Sequence, residues 1–366
     1  MTDPAISLIV PTFNESRNLP VLVERVAAAL QGRTFEIIVV DDDSPDRTWE
    51  VAEGLAARFP VRVFRRIGKR GLSSAVVDGF AAAKGEALAV IDADLQHDPA
   101  VLPRLVDGLA RCEAAVGTRY AGSGSTGEWG GARLALSRSA TWSVRRLLGV
   151  PTSDPMSGFF AIRRSLFQRI APLLQPRGYK ILLEVLHRGR VSEVHEEPYT
   201  FAGRLHGESK LGTGVLLDCA AALWELRFGA ILPLRFVKYC LVGLSGVGVQ
   251  LLATHALRAI PDLRTADSRL ATAIAIAIAM LSNYILDNVW TFRDVRHRGG
   301  RAVAIGILRF AAICGTGAVI SWSVAQGARL ATDGVMNIYF ASLIGIAVAT
   351  VWNYVLNRQF TWRSNG

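Results

Sequence analysis

The chain has 366 residues, more than one typical domain, so two are expected. Its hydrophobic share of 51% is high for a soluble protein and lies mostly after residue 236, while a formal charge of +10 suits an anionic partner: membrane surface, phosphorylated substrate or nucleic acid. Nucleic acid is the weakest of these, because no basic helix or recognised nucleic-acid motif appears. The four cysteines (Cys112, Cys219, Cys240, Cys314) form no CxxC and no metal spacing, and read as small core or membrane residues in a reducing setting. The opening MTDPAISLIVPTF has no basic region and too short an apolar run for a signal peptide, so the first domain is expected in the cytoplasm.

Residues 6–10 (ISLIV) predict a first strand and a helix follows over about 19–30. FEIIVV (35–40) is a second strand, running into DDDSPDRTWE and a helix to about residue 59. VRVF (61–64) is a third, followed by a loop and a helix, and LAVI (88–91) is a fourth, buried on both faces. This alternation predicts a parallel sheet with right-handed crossovers and ligands at the carboxyl ends of its strands. The polar clusters fall at those ends: Asn14-Glu15, Asp41-Asp42-Asp43, Lys69-Arg70 and Asp92-Ala93-Asp94. There is no GxGxxG and no P-loop, which argues against a dinucleotide enzyme or an NTPase.

Asp92 and Asp94, with Gln96 two residues on, lie where the fourth strand becomes a loop, so their carboxylates sit close together on one side. Unpartnered, they repel and one stays protonated. A divalent cation removes the conflict, and this set of hard oxygens suits Mg2+ or Mn2+. An acidic turn capping the next helix is the competing reading. Three consecutive acids at 41–43 likewise exceed what one helix cap requires; Asp41 or Asp46 can cap, which leaves Asp42 for a nucleobase N–H edge or a ribose hydroxyl. Beyond a helix at about 99–112 and the short strand AAVGTRY comes a glycine-rich loop, AGSGSTGEWGG, either a linker or a lid over a site. The next segment carries Arg133, Arg138, Arg145 and Arg146. Arg119, directly after a strand on the side of the acids, is the better phosphate candidate. The segment FAGRLHGESKL combines Arg204, His206 and Lys210 with glycines and suits a diphosphate. His97 and His206 read as structural hydrogen-bonders and are left out of the mechanism.

The motifs IVPTFNE, VVDDDSPDRT, DADLQHDP, GTRY, SDPMSGFFAIRR, GYKILLE and FAGRLHGESKL, in this order over residues 6–211, resemble the polyprenol (dolichol) phosphate mannosyltransferases of glycosyltransferase family 2. The resemblance implies an α/β GT-A catalytic domain, Rossmann-like with a mostly parallel sheet. It implies that Pro11, Phe13, Glu15, Val40 and Asp42 hold the nucleoside of GDP-mannose. Asp92, Ala93, Asp94 and Gln96 lie at the metal and diphosphate, with Asp92, Asp94 and Gln96 as ligands. Arg204 and Lys210 grip the donor phosphates, and Arg119, Arg133 and Ser137 receive the phosphate of a polyprenyl or dolichyl acceptor. Asp94, Arg119 and Arg133 are the residues expected to carry the chemistry. Two departures from the family pattern are Phe13, where Tyr is commoner, and Asp98, where Pro is frequent. A lipid monophosphate is already anionic, so no general base is needed; the resemblance implies in-line attack that inverts the anomeric carbon and gives a β-linked product. The same fold using UDP-glucose to make lipid phosphoglucose is the alternative, and a transport or scaffold protein with a vestigial catalytic half is a third reading. GYKILLE and GESKL favour mannose through the resemblance, and the intact acids and arginines speak against the third.

Residues 212–234, apolar but interrupted by Asp218, Glu225 and Arg227, predict an amphipathic helix on the membrane surface. Four spans follow near 236–257, 270–290, 309–328 and 336–357, each near the roughly 20 residues a bilayer needs. NYILDNVWTFR (283–293) recurs as NYVLNRQFTWR (353–363), and Arg235-Phe236 and Arg309-Phe310 open the first and third spans alike. Two hairpins of one orientation are expected, an all-α domain over 235–366 that resembles the GtrA-like membrane proteins, some of them proposed to move lipid-linked sugars. The basic loop RDVRHRGGR belongs at the cytoplasmic face. That predicts an integral protein of the cell membrane, in contact with membrane lipid, with its catalytic domain and both termini cytoplasmic. Asn283, Asp287 and Asn353 near span ends are candidates for function or for interhelical hydrogen bonds.

Overall fold

A computed structural model describes residues 4–127, 131–175, 180–203, 213–229, 231–259, 268–332, 335 and 337–363. It divides into two compact units, Met1–Arg227 and Phe228–Gly366.

The first unit alternates as expected at its start: β1 (Ile6–Thr12), α1 (Leu19–Ala29), β2 (Phe35–Asp41), α2 (Thr48–Leu55), β3 (Val61–Arg65), α3 (Leu72–Ala82), β4 (Ala87–Val90), then a 3-10 turn and α4 (Leu102–Gly108). Then come β5 (Ala114–Thr118), α5 (Gly131–Leu148), β6 (Phe160–Arg163), α6 (Arg164–Ile170), α7 (Ile181–Arg188), β7 (His195–Pro198) and α8 (Thr213–Phe228). The strands form one sheet in the order β3-β2-β1-β4-β6-β5-β7, parallel except for β6, which runs against both neighbours. The central strands β1, β2 and β4 are mostly apolar because both faces are covered, with Ser7 and Glu36 as buried polar exceptions bonded to each other. Leu8, Val10, Ile37, Val39 and Ala89 enter one core, while Ile9, Ile38, Val40, Leu88 and Val90 enter the other. Each fully buried aliphatic side chain contributes about 1.5–3 kcal/mol.

From β1 the chain winds outward through β2 and β3, then returns to place β4 on the other side of β1. That reversal opens a crevice at the carboxyl ends of β1, β2 and β4, where an open α/β sheet binds ligands. Helix α8 falls within the segment expected on the membrane surface; its Leu223 and Leu226 pack against the core that holds Ile9 and Val40.

The second unit contains four helices long and apolar enough to cross a membrane: α9 (Leu234–Arg258), α10 (Ser268–Leu286) with a π-turn at Asp287–Thr291, α11 (Gly300–Leu330), and α12 (Ile338–Leu356) with a π-turn at Asn357–Thr361. The third begins at Gly300 rather than near 309, because the run from Ala302 to Ile307 is also apolar. Large aliphatic side chains of this unit point outward, Leu252 on α9 at 73% and Leu308 on α11 at 70% exposure, as in a protein solvated by lipid. The unit's hydrophobic cluster of buried residues is aromatic, Tyr239, Tyr284, Phe292, Phe310, Tyr354 and Trp362, while small and polar residues such as Ala275, Ala341 and Asn357 are buried elsewhere along the helices.

The sequence repeat is a structural one. A Cβ on Gly246 would collide with the side chain of Asn283, and one on Gly317 with that of Asn353. Counted from these glycines, Tyr239 corresponds to Phe310, and the rings exchange between hairpins: Tyr239 meets Tyr354 (5.6 Å between centroids) while Phe310 meets Tyr284 (5.8 Å). Phe292 and Trp362, equivalent positions, stack on each other at 4.4 Å and 3°.

Candidate active site

Along one wall of the crevice, Pro11 and Val40 are register partners near the ends of β1 and β2, both buried. Phe13 follows, half-buried, with the guanidinium of Arg70 over its ring at 4.7 Å. Asp42 is buried. Arg66 binds its Oδ1 through Nε (2.7 Å) and Nη2 (2.6 Å), and the Gly71 amide donates to its Oδ2 (2.8 Å). Asp41 accepts from Thr12 and Ser44, and Asp46 from the Thr48 amide and hydroxyl at the start of α2. The flanking acids thus hold the turn that leads into α2, whose cap residue Arg47 makes no side-chain capping bond. Glu15 accepts from Asn18 Nδ2 (2.7 Å), and its amide donates to Thr48 Oγ1.

Asp92 to Gln96 lie on the loop directly after β4, beside β1, where the Ile91 amide donates to Ile9. The loop turns at Leu95, buried and held at φ 60°, and this brings the Gln96 amide back to Asp94 Oδ1 (3.2 Å). Ala93 is buried beneath it. Gln96 exchanges two hydrogen bonds with the backbone of Ala202, each 3.0 Å. Asp92 is fixed from two sides: His97 Nε2 stands 3.3 Å from its Oδ2, and a Cβ on Gly158 would lie 2.5 Å from that oxygen. Its Oδ1 is buried and has no hydrogen-bond partner among the described residues.

Arg119, after β5, is tied to Asp154, a residue of the SDPMSGFF motif with no role in the sequence reading. Burial opposes the charged form, yet the hydrogen bonds and charge of Asp154 hold the guanidinium's pKa above its ordinary value. Arg119 also lies over Phe201 at 5.3 Å. On α5, Ser137 shares a 2.7 Å hydrogen bond with the Tyr120 hydroxyl, next to a cavity of about 260 Å³ lined by Tyr120, Arg138, Thr141, Trp142, Arg145 and Ser153. Arg133 is on α5 with its side chain outside the described residues, as are Arg204, His206 and Lys210 altogether.

Sequence reasoning undervalued three residues. Asp154 and Arg66 are buried counter-charges, recognisable in sequence only as one acid and one base among many. His97 is no isolated hydrogen-bonder: Tyr199 OH lies 2.7 Å from its Nδ1, and its ring packs among Phe159, Tyr199 and Phe201. Burial pushes the Tyr199 hydroxyl's pKa up, so it stays a donor.

Residues 7–171 match the glycosyl transferase family 2, and residues 238–362 match the GtrA/DPMS transmembrane domain, which with the four apolar helices makes this an integral membrane protein. A "Dolichol-phosphate mannosyltransferase" of Pyrococcus furiosus is 38% identical over 364 residues, 98% of this chain and 99% of that one. Another of that name, from Saccharomyces cerevisiae, is 38% identical over 248 residues, 64% of this chain and 92% of its own. Among solved structures, glucosyl-3-phosphoglycerate synthase from Mycobacterium tuberculosis with Mg2+ and UDP aligns at a TM-score of 0.48 and 21% identity, over 61% of this chain and 79% of that one. Likeness to the Pyrococcus protein through both halves, and the acid loop at the reversal of the sheet, have one reading: the chain belongs to the dolichol-phosphate mannosyltransferases of glycosyltransferase family 2, enzymes of glycosyl transfer, with a GtrA/DPMS membrane domain in the same chain.

Proposed function

We propose that this enzyme transfers mannose from GDP-mannose to a polyprenyl (dolichyl-type) monophosphate at the cytoplasmic face of the membrane, inverting the anomeric carbon. The observation that carries the reading is the acid loop, where a buried Asp92 Oδ1 with no partner among the described residues sits beside Asp94 and Gln96 at the carboxyl end of β4. That donor set fits a divalent cation, Mg2+ or Mn2+, since a buried carboxylate oxygen without a partner is costly unless a ligand fills the place. When bound, such a cation supplies charge stabilisation for the departing nucleoside diphosphate.

The chain's own residues then divide the work. Phe13 offers its half-buried ring to the base, and the buried Pro11 and Val40 at the strand ends back the nucleoside there. A carboxylate has about four acceptor positions; Arg66 and Gly71 take up three on Asp42, which leaves one for a base N–H. Glu15 joins them in holding the nucleoside, and Arg204 and Lys210 bind the donor phosphates. Arg119, Arg133 and Ser137 receive the lipid phosphate. Its oxygen is already an anion at neutral pH, so attack needs alignment and charge neutralisation, with no proton removed by the protein. The basic loop at 293–301 supports a cytoplasmic orientation of both termini. The test is incubation of purified protein with several nucleotide sugars and a polyprenyl phosphate, with the lipid product identified by mass. A hexose phospholipid formed from GDP-mannose alone supports the reading. Formation from UDP-glucose instead overturns the choice of sugar.

A further inference from the structure

We propose that Tyr199 and His97 form a positioning relay that sets Asp92 for its cation, an inference that rests on the metal reading above. The hydrogens on the ring can be assigned by elimination. Asp92 Oδ2, as a carboxylate oxygen, only accepts, so a neutral His97 must carry its hydrogen on Nε2 to bond it at 3.3 Å. Nδ1 is then a bare acceptor, and the group 2.7 Å from it, the Tyr199 hydroxyl, has a hydrogen to donate. The chain of donation runs Tyr199 O–H to Nδ1, then Nε2–H to Asp92 Oδ2. The opposite tautomer would set two lone pairs against each other at Asp92.

The surroundings hold this chain in place. His97 is 4% exposed and Tyr199 is 4% exposed, and Phe159 and Phe201 pack on the imidazole at 5.4 Å. Gly158 backs the same carboxylate oxygen, so Asp92 cannot swing toward the chain at Gly158 without moving backbone. One oxygen is thus held by the protein while Oδ1 is left uncommitted. A ligand carboxylate oriented through a partner behind it keeps its geometry before the ion arrives, and loss of such a partner typically costs about 10- to 100-fold in affinity.

The probe is Mn2+ alone, titrated into full-length protein in detergent, with free Mn2+ followed by its EPR signal. Tyr199→Phe keeps the ring and removes the donor; we expect its Mn2+ Kd to rise about 10-fold or more. His97→Gln puts an amide N–H near the place of Nε2–H and should bind within a few-fold of wild type, while His97→Ala should match or exceed the loss in Tyr199→Phe. A merely space-filling role gives the reverse order: Tyr199→Phe unaffected and His97→Gln impaired as much as His97→Ala. That pattern overturns the relay and leaves the metal site standing. Wild-type protein that binds no Mn2+ overturns the metal reading, and the relay with it.

Discussion

Arg119 and Asp154 meet in a buried two-pronged ion pair, Nε to Oδ2 at 2.7 Å and Nη2 to Oδ1 at 2.8 Å, with the Arg119 amide also donating to Oδ2. The Asp154 side chain is 0% exposed and that of Arg119 is 10%. Removing one member of such a pair leaves the other charged and buried, at a cost of about 3–5 kcal/mol. Asp154→Asn should therefore lower the thermal midpoint of the full-length protein by several degrees, and Arg119→Lys should not restore what Arg119→Ala loses, because a point charge cannot make both bonds. Unchanged unfolding in Asp154→Asn would show that the pair contributes no net stability.

The proposed split between donor and acceptor sides makes Arg133 the cleaner probe, since Arg119 already has a counter-charge. A charge-assisted contact to phosphate contributes about 1.5–3 kcal/mol. Arg133→Ala should raise the KM for lipid phosphate roughly 10- to 100-fold and leave nucleotide affinity intact. An equal fall in both, read by initial rates and by nucleotide titration, sinks the assignment of separate roles.

Glu36, buried on β2, accepts from Ser7 Oγ and the Lys84 amide on Oε1 and from Arg62 on Oε2, each at 2.7 Å. Burial alone would raise its pKa; these hydrogen bonds outweigh it and hold the carboxyl below its ordinary value. Its stabilisation is complete above the unfolded value of about 4.3 and is lost as pH falls through the depressed folded value. Glu36→Gln should destabilise at neutral pH and flatten the acid decline below about pH 4. Parallel acid curves for mutant and parent would exclude Glu36 as a contributor.

In the membrane half, Gly317 leaves room for Asn353 as Gly246 does for Asn283. Gly317→Val forces α11 and α12 apart, and overpacking of this kind costs about 1–3 kcal/mol. Detergent-solubilised Gly317→Val should lose its membrane-domain transition at lower temperature while nucleotide binding by the catalytic unit persists. Loss of both together would mean that the two units unfold as one.

The first four strands, their helices and the four spans were legible because long apolar runs and turn residues report burial directly. β6 and β7 were not. FAIR is four residues long, and HEEP has half-buried polar and proline residues on an edge strand, without the alternation that marks a strand. Of the proposed site residues, Asp42, Asp92, Asp94 and Gln96 stood out by their place at strand ends, whereas Pro11 and Val40 were named only through the family resemblance. Their supporting partners were not legible: Arg66 comes from the loop before α3, Asp154 from the loop before β6, and Tyr199 from the end of β7, all distant in sequence from what they hold. Local pattern carries no information about such pairings.

The stack of Phe292 on Trp362 joins equivalent positions of two copies, and a residue meets its own counterpart only at a two-fold axis. A lone hairpin bearing one aromatic there would recognise a twin through the same ring face. The membrane half is thus built as a homodimer whose halves share one polypeptide. Because both copies lie in one polypeptide they need not be identical, and they differ: Asp287 corresponds to Asn357, Asn288 to Arg358, and Tyr239 to Phe310. Trp362 donates its indole hydrogen to Asn288 (3.0 Å), a bond that no symmetric pair of hairpins with arginine in both places would form.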